Sequence, residues 1–317
     1  MKIAIVKLTA MGDIIQSAFV VQFIKKHIPD AKIDWFCEET FSQVLESNPD
    51  ITVKKLDLKS LKKSKLNLFK EIKKIKSYSK ENYDLVIDMQ GLLKSAITAR
   101  MLGKTVVGYD KNSARESVAS LFYGKSYDIP YHLNTIDRYR LLISKALDIE
   151  LTKEEVLAKN PYLFYHDKSF SKKPYGVFII GASWKSKIYP KELVNKVIKN
   201  LDIEFFVPYS SDEEEKFVDS LDGVKKVKLN LDELKALISG AKFVIGNDTG
   251  PTYMAWALNI PSVVLFGPVP PDRVYADEKT VLLKSPSYVD PYKLNKNDFS
   301  IKEIEPEEIV ENARKFL

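Results

Sequence analysis

Two short turns that pair glycine with an acid constrain this chain more than anything else in it: Ala10-Met11-Gly12-Asp13 and Gly246-Asn247-Asp248-Thr249-Gly250. Each follows a short β-rich apolar run and precedes a segment with helical spacing. Lys2-Ile3-Ala4-Ile5-Val6-Lys7-Leu8 leads into the first, and Ile15, Ala18, Phe19, Gln22 and Phe23 recur at helical intervals from Ile14 to Lys26. Ala241-Lys242-Phe243-Val244-Ile245 leads into the second, and Pro251 opens the helical run to Leu258 at a first-turn position where its missing N–H is tolerated. Strand-turn-helix units of this kind build parallel sheets. Ligands of open α/β sheets bind outside the carboxyl edge, where helix N-termini favour anions.

The same alternation runs from end to end. Strand signals recur at Ile33–Cys37, Tyr83–Asp88, Thr105–Tyr109, Gly176–Ile180, Ile203–Val207, Phe243–Ile245 and Pro261–Phe266, as apolar runs continuous enough for strands covered on both faces. At 317 residues the chain exceeds a typical single domain. Two doubly wound parallel-sheet domains are therefore expected, 1–168 and 169–317, with the boundary in the polar link Phe164–Pro174 and a cleft between them. The stretch from Glu305 to Leu317, opened by Pro306 with Ile309, Ala313 and Phe316 on one stripe, predicts a terminal helix that fits either domain.

Hydrophobic residues make up 45% and charged residues 29%, a globular balance, and no apolar run approaches the ~20 residues needed to cross a bilayer. The N-terminus carries no signal-peptide pattern, so a cytoplasmic location is expected. The single cysteine, Cys37, reads as a buried thiol. The net charge of +6 is uneven: from Lys54 to Lys80 there are eleven lysines against two acids, Asp57 and Glu71, leaving the other 290 residues slightly negative. Leu61, Leu66, Phe69, Ile72 and Ile75 recur there at near-helical intervals, which predicts an amphipathic basic helix or helix pair. A solvated face and a surface for anionic lipid or glycolipid are both open readings. Nucleic acid is not expected, because the segment has no arginine and few aromatic rings for base stacking.

Asp13, a carboxylate on a turn at a sheet edge, suits a general base; the competing reading is an N-cap for a helix starting at Ile14. Asp248, Thr249 and Gly250 suit a phosphate or ribose cradle in which Gly246 and Gly250 let the backbone approach a ligand; Asp248 or Thr249 as a helix cap is the plainer alternative. Gly181-Ala182-Ser183-Trp184-Lys185-Ser186-Lys187, after the first strand of the second domain, offers Ser183 and a lysine, Lys185 or Lys187, to a diphosphate without the spacing of a phosphate-loop ATPase.

Four motifs in order, Val6–Ile15, Asp88–Ser95, His132–Arg140 and Gly240–Pro251, resemble the ADP-heptose:lipopolysaccharide heptosyltransferases of glycosyltransferase family 9, most closely those that add the first heptose. The resemblance spans Lys2 to about Gly267. It implies a GT-B fold of two Rossmann-like domains, an acceptor-binding one and an ADP-sugar-binding one, and inverting transfer of L-glycero-D-manno-heptose from ADP-heptose to the Kdo region of Kdo-lipid A. By the same resemblance Asp13 is the base and Lys187 its catalytic partner on the donor side. Ser183, Asp248, Thr249 and Gly250 bind the donor, Leu229 lines the adenine site, and Glu213 or Glu214 binds ribose. Gly12, Lys94, Arg115, His132 and Arg138 become acceptor-side candidates. No cofactor or metal is implied, and the implied setting is peripheral to the inner face of the inner membrane, with the Lys54–Lys80 segment against the lipid surface. The chain departs from the family pattern at Tyr253, where histidine is common, at Gln16, where some relatives place histidine, and at Ala182, where a hydroxyl residue is often found. Rival readings are addition of the second heptose, or of another sugar, by the same scaffold, and a non-catalytic protein that binds anionic glycolipid.

Overall fold

The computed structural model describes residues 1–59, 65–290 and 293–317. The chain divides into two compact units, Met1–Tyr162 and Leu163–Leu317. In the first, the elements in chain order are β1 (Lys2–Val6), α1 (Met11–Ser17), α2 (Val20–His27), β2 (Lys32–Glu38), β3 (Ile51–Leu56), α3 (Lys65–Ser79), β4 (Leu85–Asp88), α4 (Leu93–Leu102), β5 (Val106–Tyr109), β6 (Lys125–Tyr127), α5 (Thr135–Leu147) and α6 (Lys153–Leu157). The strands form one parallel sheet in the order β3-β2-β1-β4-β5-β6. A two-turn 3-10 helix, Ser117–Phe122, connects β5 to β6.

The second unit repeats the plan with β7 (Tyr175–Ile179), α7 (Lys191–Lys199), β8 (Glu204–Tyr209), α8 (Asp212–Asp219), β9 (Val224–Lys228), α9 (Leu231–Ser239), β10 (Phe243–Asn247), α10 (Gly250–Ala257), β11 (Ser262–Phe266), β12 (Thr280–Lys284) and α11 (Pro306–Arg314). Its sheet, again all parallel, runs β12-β11-β10-β7-β8-β9. Both sheets thus have the doubly wound order in which the chain starts in the middle and winds outward first one way and then the other.

The inner strands explain why the apolar runs were continuous. β4, β5, β7, β10 and β11 are buried at every residue, because helices cover both sheet faces. β3, β6, β9 and β12 are the four sheet edges, where one side of the ladder meets water. β3, β6 and β9 are correspondingly polar, with Lys54, Lys55, Lys125, Lys225, Lys226 and Lys228 among their residues, while β12 keeps only the short apolar run Val281-Leu282-Leu283. Lysine on an edge also blocks pairing with another sheet.

Residues 163–168 lie in the second unit rather than the first, because three of them bond to α9. The Phe164 carbonyl accepts from Lys235 Nζ, the His166 N–H donates to Asp232 Oδ2 (3.1 Å), and Lys168 Nζ donates to Glu233 Oε1 (2.5 Å). The terminal helix α11 belongs to the second unit, with Ile309, Val310 and Ala313 in one apolar cluster with Val194, Val197 and Ile198 of α7.

The lysine-rich segment is not one helical run. Lys54 and Lys55 lie in β3, paired with Asp34 (3.5 Å) and Glu46 (2.6 Å), and Lys59 stacks over the Phe41 ring at 4.7 Å. Residues 60–64 of the expected basic helix lie outside the described residues, and α3 carries the remainder.

Candidate active site

The two sheets share one topological consequence: β1 and β4 in the first, and β7 and β10 in the second, are the adjacent strands from which the chain winds apart. Their carboxyl ends are where such sheets hold ligands. Gly12, Asp13 and Lys94 follow β1 and β4, and Ser183, Lys187, Asp248, Thr249 and Gly250 follow β7 and β10. Arg115, His132 and Arg138 come after the outer strands β5 and β6, and Glu213, Glu214 and Leu229 after β8 and β9.

In the first unit Gln90 ties the two strand ends together. Its Oε1 accepts the N–H groups of Leu8 (2.7 Å) and Thr9 (3.1 Å), and its Nε2 donates to Thr9 Oγ1 (3.0 Å). Lys94 Nζ reaches the same hydroxyl at 3.4 Å. Helix α1 begins at Met11, so Asp13 is its third residue and not the cap of a helix starting at Ile14. Its Oδ2 accepts the Ala10 N–H at 3.2 Å, satisfying one free donor of the helix start. Its other oxygen has no protein partner among the described residues. Gly12 precedes it on the first turn of α1.

Behind this turn lies a charge cluster that sequence reasoning did not single out. Lys7, 4% exposed, ends β1's approach to the turn with Nζ 3.4 Å from the Met89 carbonyl and 4.9 Å from the Tyr139 ring centre. Burial pushes the Lys7 ammonium below its ordinary range; the charges of Asp13 and Asp88 oppose that, and Arg138 and Arg115 reinforce it. Asp88 is fully buried. Its Oδ1 accepts the N–H groups of Gln90 (2.8 Å) and Gly91 (3.2 Å), and its Oδ2 accepts Ser95 Oγ (2.8 Å) and Tyr123 Oη (2.7 Å). Burial nonetheless raises its carboxyl above the usual range, against those hydrogen bonds. Gly91, at φ +69, makes the backbone turn this arrangement requires. A lysine closing an apolar strand just before a Gly-Asp turn was the available signal for this cluster.

Among the acceptor-side candidates, Arg138 is sandwiched between the Tyr109 and Tyr131 rings, 4.6 Å from each, and donates to the Ser113 carbonyl at 2.5 Å. Arg115 is exposed, with its backbone close to Gly91. His132 is exposed on the turn before α5, outside the hydrogen-bonded cluster.

In the second unit Lys187 Nζ ion-pairs with Asp248 Oδ2, while Tyr253 Oη donates to the other carboxylate oxygen. The Lys187 and Asp248 side chains are 11% and 6% exposed, and Tyr253 is buried. Lys187 also lies over the Trp184 ring at 4.8 Å, and Lys296 approaches that ring at 5.0 Å. Asn247 joins the two strand ends: its Nδ2 donates to the Ile180 carbonyl (2.8 Å) and its Oδ1 accepts the Tyr189 N–H (3.2 Å). Thr249 occupies the N-cap position of α10, but its hydroxyl makes no capping bond, and Gly250 and Pro251 open the helix. Asp248 is not a cap, since its carboxylate is taken by Lys187 and Tyr253. Gly246 does not serve ligand approach. It lies within β10, where an added Cβ would meet Ile179 Cβ at 2.7 Å and the Thr252 hydroxyl, so its missing side chain lets strand and helix pack.

Ser183 is exposed in the loop after β7, and Leu229 is half-buried just past the end of β9. The two glutamate candidates separate clearly. Glu213 points to solvent in an exposed pair with Lys185 (3.2 Å). Glu214 turns inward: its Oε2 accepts the Ser210 N–H (2.7 Å) and hydroxyl (2.8 Å), and its Oε1 lies against Gly181 at the end of β7.

Among the described residues no cluster of three or more His, Cys, Asp or Glu side chains is placed to hold a metal ion, and no helix is long and apolar enough to cross a membrane. The family model for glycosyltransferase family 9 (heptosyltransferase) matches residues 72–298. Lipopolysaccharide heptosyltransferase 1 of Campylobacter coli is 35% identical over 343 aligned residues, covering 100% of this chain and 99% of that protein. The Pseudomonas aeruginosa protein of the same name is 30% identical, covering 86% of this chain and 80% of that one. The solved structure of E. coli heptosyltransferase WaaC with ADP-2-deoxy-2-fluoro heptose matches in fold with a TM-score of 0.82 at 24% identity, covering 100% of both chains. That GT-B likeness agrees with the two doubly wound units.

Proposed function

The chain belongs to glycosyltransferase family 9, and on that premise we propose that it transfers L-glycero-D-manno-heptose from ADP-heptose to the Kdo region of the lipopolysaccharide inner core, adding the first heptose to Kdo-lipid A with inversion. The observation that carries the donor half of this reading is the shielded Lys187–Asp248–Tyr253 cluster beside the N-terminus of α10. The departing ADP gathers negative charge on its diphosphate. Lys187, the Thr249 hydroxyl and the free N–H groups of the α10 first turn answer that charge in a setting where water screens it poorly. Ser183 adds a hydroxyl donor, Leu229 an apolar wall for adenine, and Gly250 an approach unobstructed by a side chain. Glu214 is the ribose ligand in this reading, because its carboxylate lies at the end of β7 while that of Glu213 faces solvent.

Asp13 acts as general base. Its free oxygen takes the proton of the acceptor hydroxyl as the acceptor oxygen bonds to the anomeric carbon; the bond from that carbon to the diphosphate breaks on the opposite face, and ADP leaves with the electron pair. The acceptor is anionic, and Lys94, Arg115, His132 and Arg138, with the backbone at Gly12, supply its ligands in the first unit. The exposed lysines of α3 meet the anionic membrane that carries it, at roughly 1 kcal/mol per basic residue close to such a surface. In this reading the protein works at the inner face of the inner membrane. Identity to relatives named heptosyltransferase 1 favours first-heptose addition over second.

The test is ADP release from ADP-heptose with and without deacylated Kdo-lipid A, in the native chain and in Asp13→Ala. Acceptor-dependent release that collapses in the variant is expected. Release only with an already heptosylated acceptor would move the assignment to the second heptose, and unchanged turnover in Asp13→Ala would remove the base.

A further inference from the structure

We propose that the face of the first unit formed by α3, α4 and the 3-10 turn Ser117–Phe122 docks on a bilayer, inserting apolar side chains among the acyl chains while its lysines engage anionic headgroups. The proposal rests on the transferase reading only for its purpose, not for its geometry. Among the described residues eleven large apolar side chains are exposed, and six of them lie here: Leu68 (38%) and Phe69 (68%) on α3, Leu93 (37%) and Ile97 (40%) on α4, and Val118 (43%) and Leu121 (80%) on the turn. Such a concentration on three adjacent elements marks an interaction surface.

The six belong to one face. Helix α4 packs against both α3 and the 3-10 turn. Leu93 and Ile97 are one helical turn apart, and Val118 and Leu121, three apart in a 3-10 helix, point the same way.

Charge decides the occupant. Lys70, Lys73 and Lys76 are exposed on α3, and Arg100 continues the Leu93–Ile97 stripe of α4. The acids of these elements are occupied: Glu71 is buried, accepting the Asp57 N–H at 3.1 Å, and Glu116 accepts the Leu93 N–H at 2.6 Å. A symmetric contact with a second copy would set lysine against lysine. Nucleic acid would leave the aliphatic side chains unrewarded. An anionic bilayer satisfies both parts, as it does for interfacial helices that pair a basic rim with an apolar face. The face is also continuous with the acceptor edge, since Lys94, next to Leu93, reaches Thr9 four residues before Asp13. A lipid-anchored acceptor can therefore offer its sugars to that edge while its acyl chains stay in the membrane.

The experiment compares the native chain with Phe69→Ser/Leu121→Ser by co-sedimentation with vesicles of phosphatidylethanolamine and phosphatidylglycerol, and with phosphatidylcholine vesicles. The native chain should bind the anionic vesicles, and the double variant at least ~10-fold less, the loss expected for two withdrawn side chains. Added salt should abolish what binding the variant keeps. Transfer to deacylated acceptor should be unchanged in the variant, and transfer to vesicle-embedded Kdo-lipid A reduced by about the same factor. Native chain that ignores anionic vesicles, a variant that binds them as the native chain does, or a native dimer that the substitutions dissociate would each overturn the proposal. Loss of vesicle binding in the variant, with no transfer to either acceptor in the native chain, would refute the transferase reading and leave the docking surface standing.

Discussion

Replacing Lys187 with methionine keeps an unbranched side chain and removes the ammonium, which pairs with Asp248 and lies over the Trp184 ring at 4.8 Å. At 11% and 6% side-chain exposure, Lys187 and Asp248 leave little room for water to replace the lost partner. Leaving one member of a buried ion pair alone costs about 3–5 kcal/mol. Tyr253 still donates to the Asp248 carboxylate, so the low end, about 3 kcal/mol, is expected. Lys187→Met/Asp248→Asn removes both charges while leaving an amide oxygen for the Tyr253 hydroxyl, and should recover most of that loss; a coupling of at least about 2 kcal/mol should emerge from the double-mutant cycle. Urea unfolding followed by fluorescence reads it out, because Trp184 and Trp256 lie in the second unit and Trp35 in the first. The loss belongs in the transition reported by two of the three tryptophans. Stability and turnover should then separate, since the double variant is folded yet lacks the cation proposed for the diphosphate. A loss below about 1 kcal/mol in Lys187→Met would mean a solvated bridge. A double variant no more stable than Lys187→Met would show that the two side chains are not each other's partners.

Glu214→Ala should weaken ADP binding measured by calorimetry by about tenfold, the value of one charge-assisted hydrogen bond, while Glu213→Ala leaves it unchanged; equal losses would refute the ribose assignment. The Cys37 thiol is pushed up to about 12 by burial, with Glu46 and Glu38 adding to it, so at pH 8 only about one thiol in ten thousand is ionised. A disulfide reagent should react with it only on unfolding, and rapid stoichiometric labelling of the native chain would contradict the buried placement. For Asp88 the folded carboxyl is raised above its unfolded value, so the folded state holds the proton more tightly. Its contribution to stability is greatest below the unfolded pKa of about 3.9 and is lost as pH rises through the folded one. The stability of the native chain relative to Asp88→Asn should therefore fall as pH is raised from mildly acidic to neutral; a relative stability that grows with pH would reverse the reasoning.

The fold was legible where burial is complete. β4, β5, β7, β10 and β11 are covered on both faces, so their residues are apolar or small except at strand ends such as Asp88 and Asn247, whose polar atoms are hydrogen-bonded, and the pattern survives in one dimension. The two glycine-acid turns were legible for a related reason, because a parallel strand must stop and a helix must start within a few residues. Asp13, Lys187 and Asp248 lie on the edges those turns predicted.

The chain by itself determined two parallel, doubly wound units and the two glycine-acid turns at the carboxyl edges of their sheets. Only the tertiary structure decided the four edge strands, which need no apolar run because one side faces water, and which therefore hid Lys54 and Lys55 inside an expected helix. It also decided the use of each polar group. Asp88 gathers donors from Ser95 and Tyr123, Gly246 serves packing against Ile179, and Glu214 rather than Glu213 turns toward Gly181. Periodicity records how deeply a residue is buried, but the partner of a charge is a neighbour in space, 61 residues away for Lys187 and Asp248, and no local pattern encodes it.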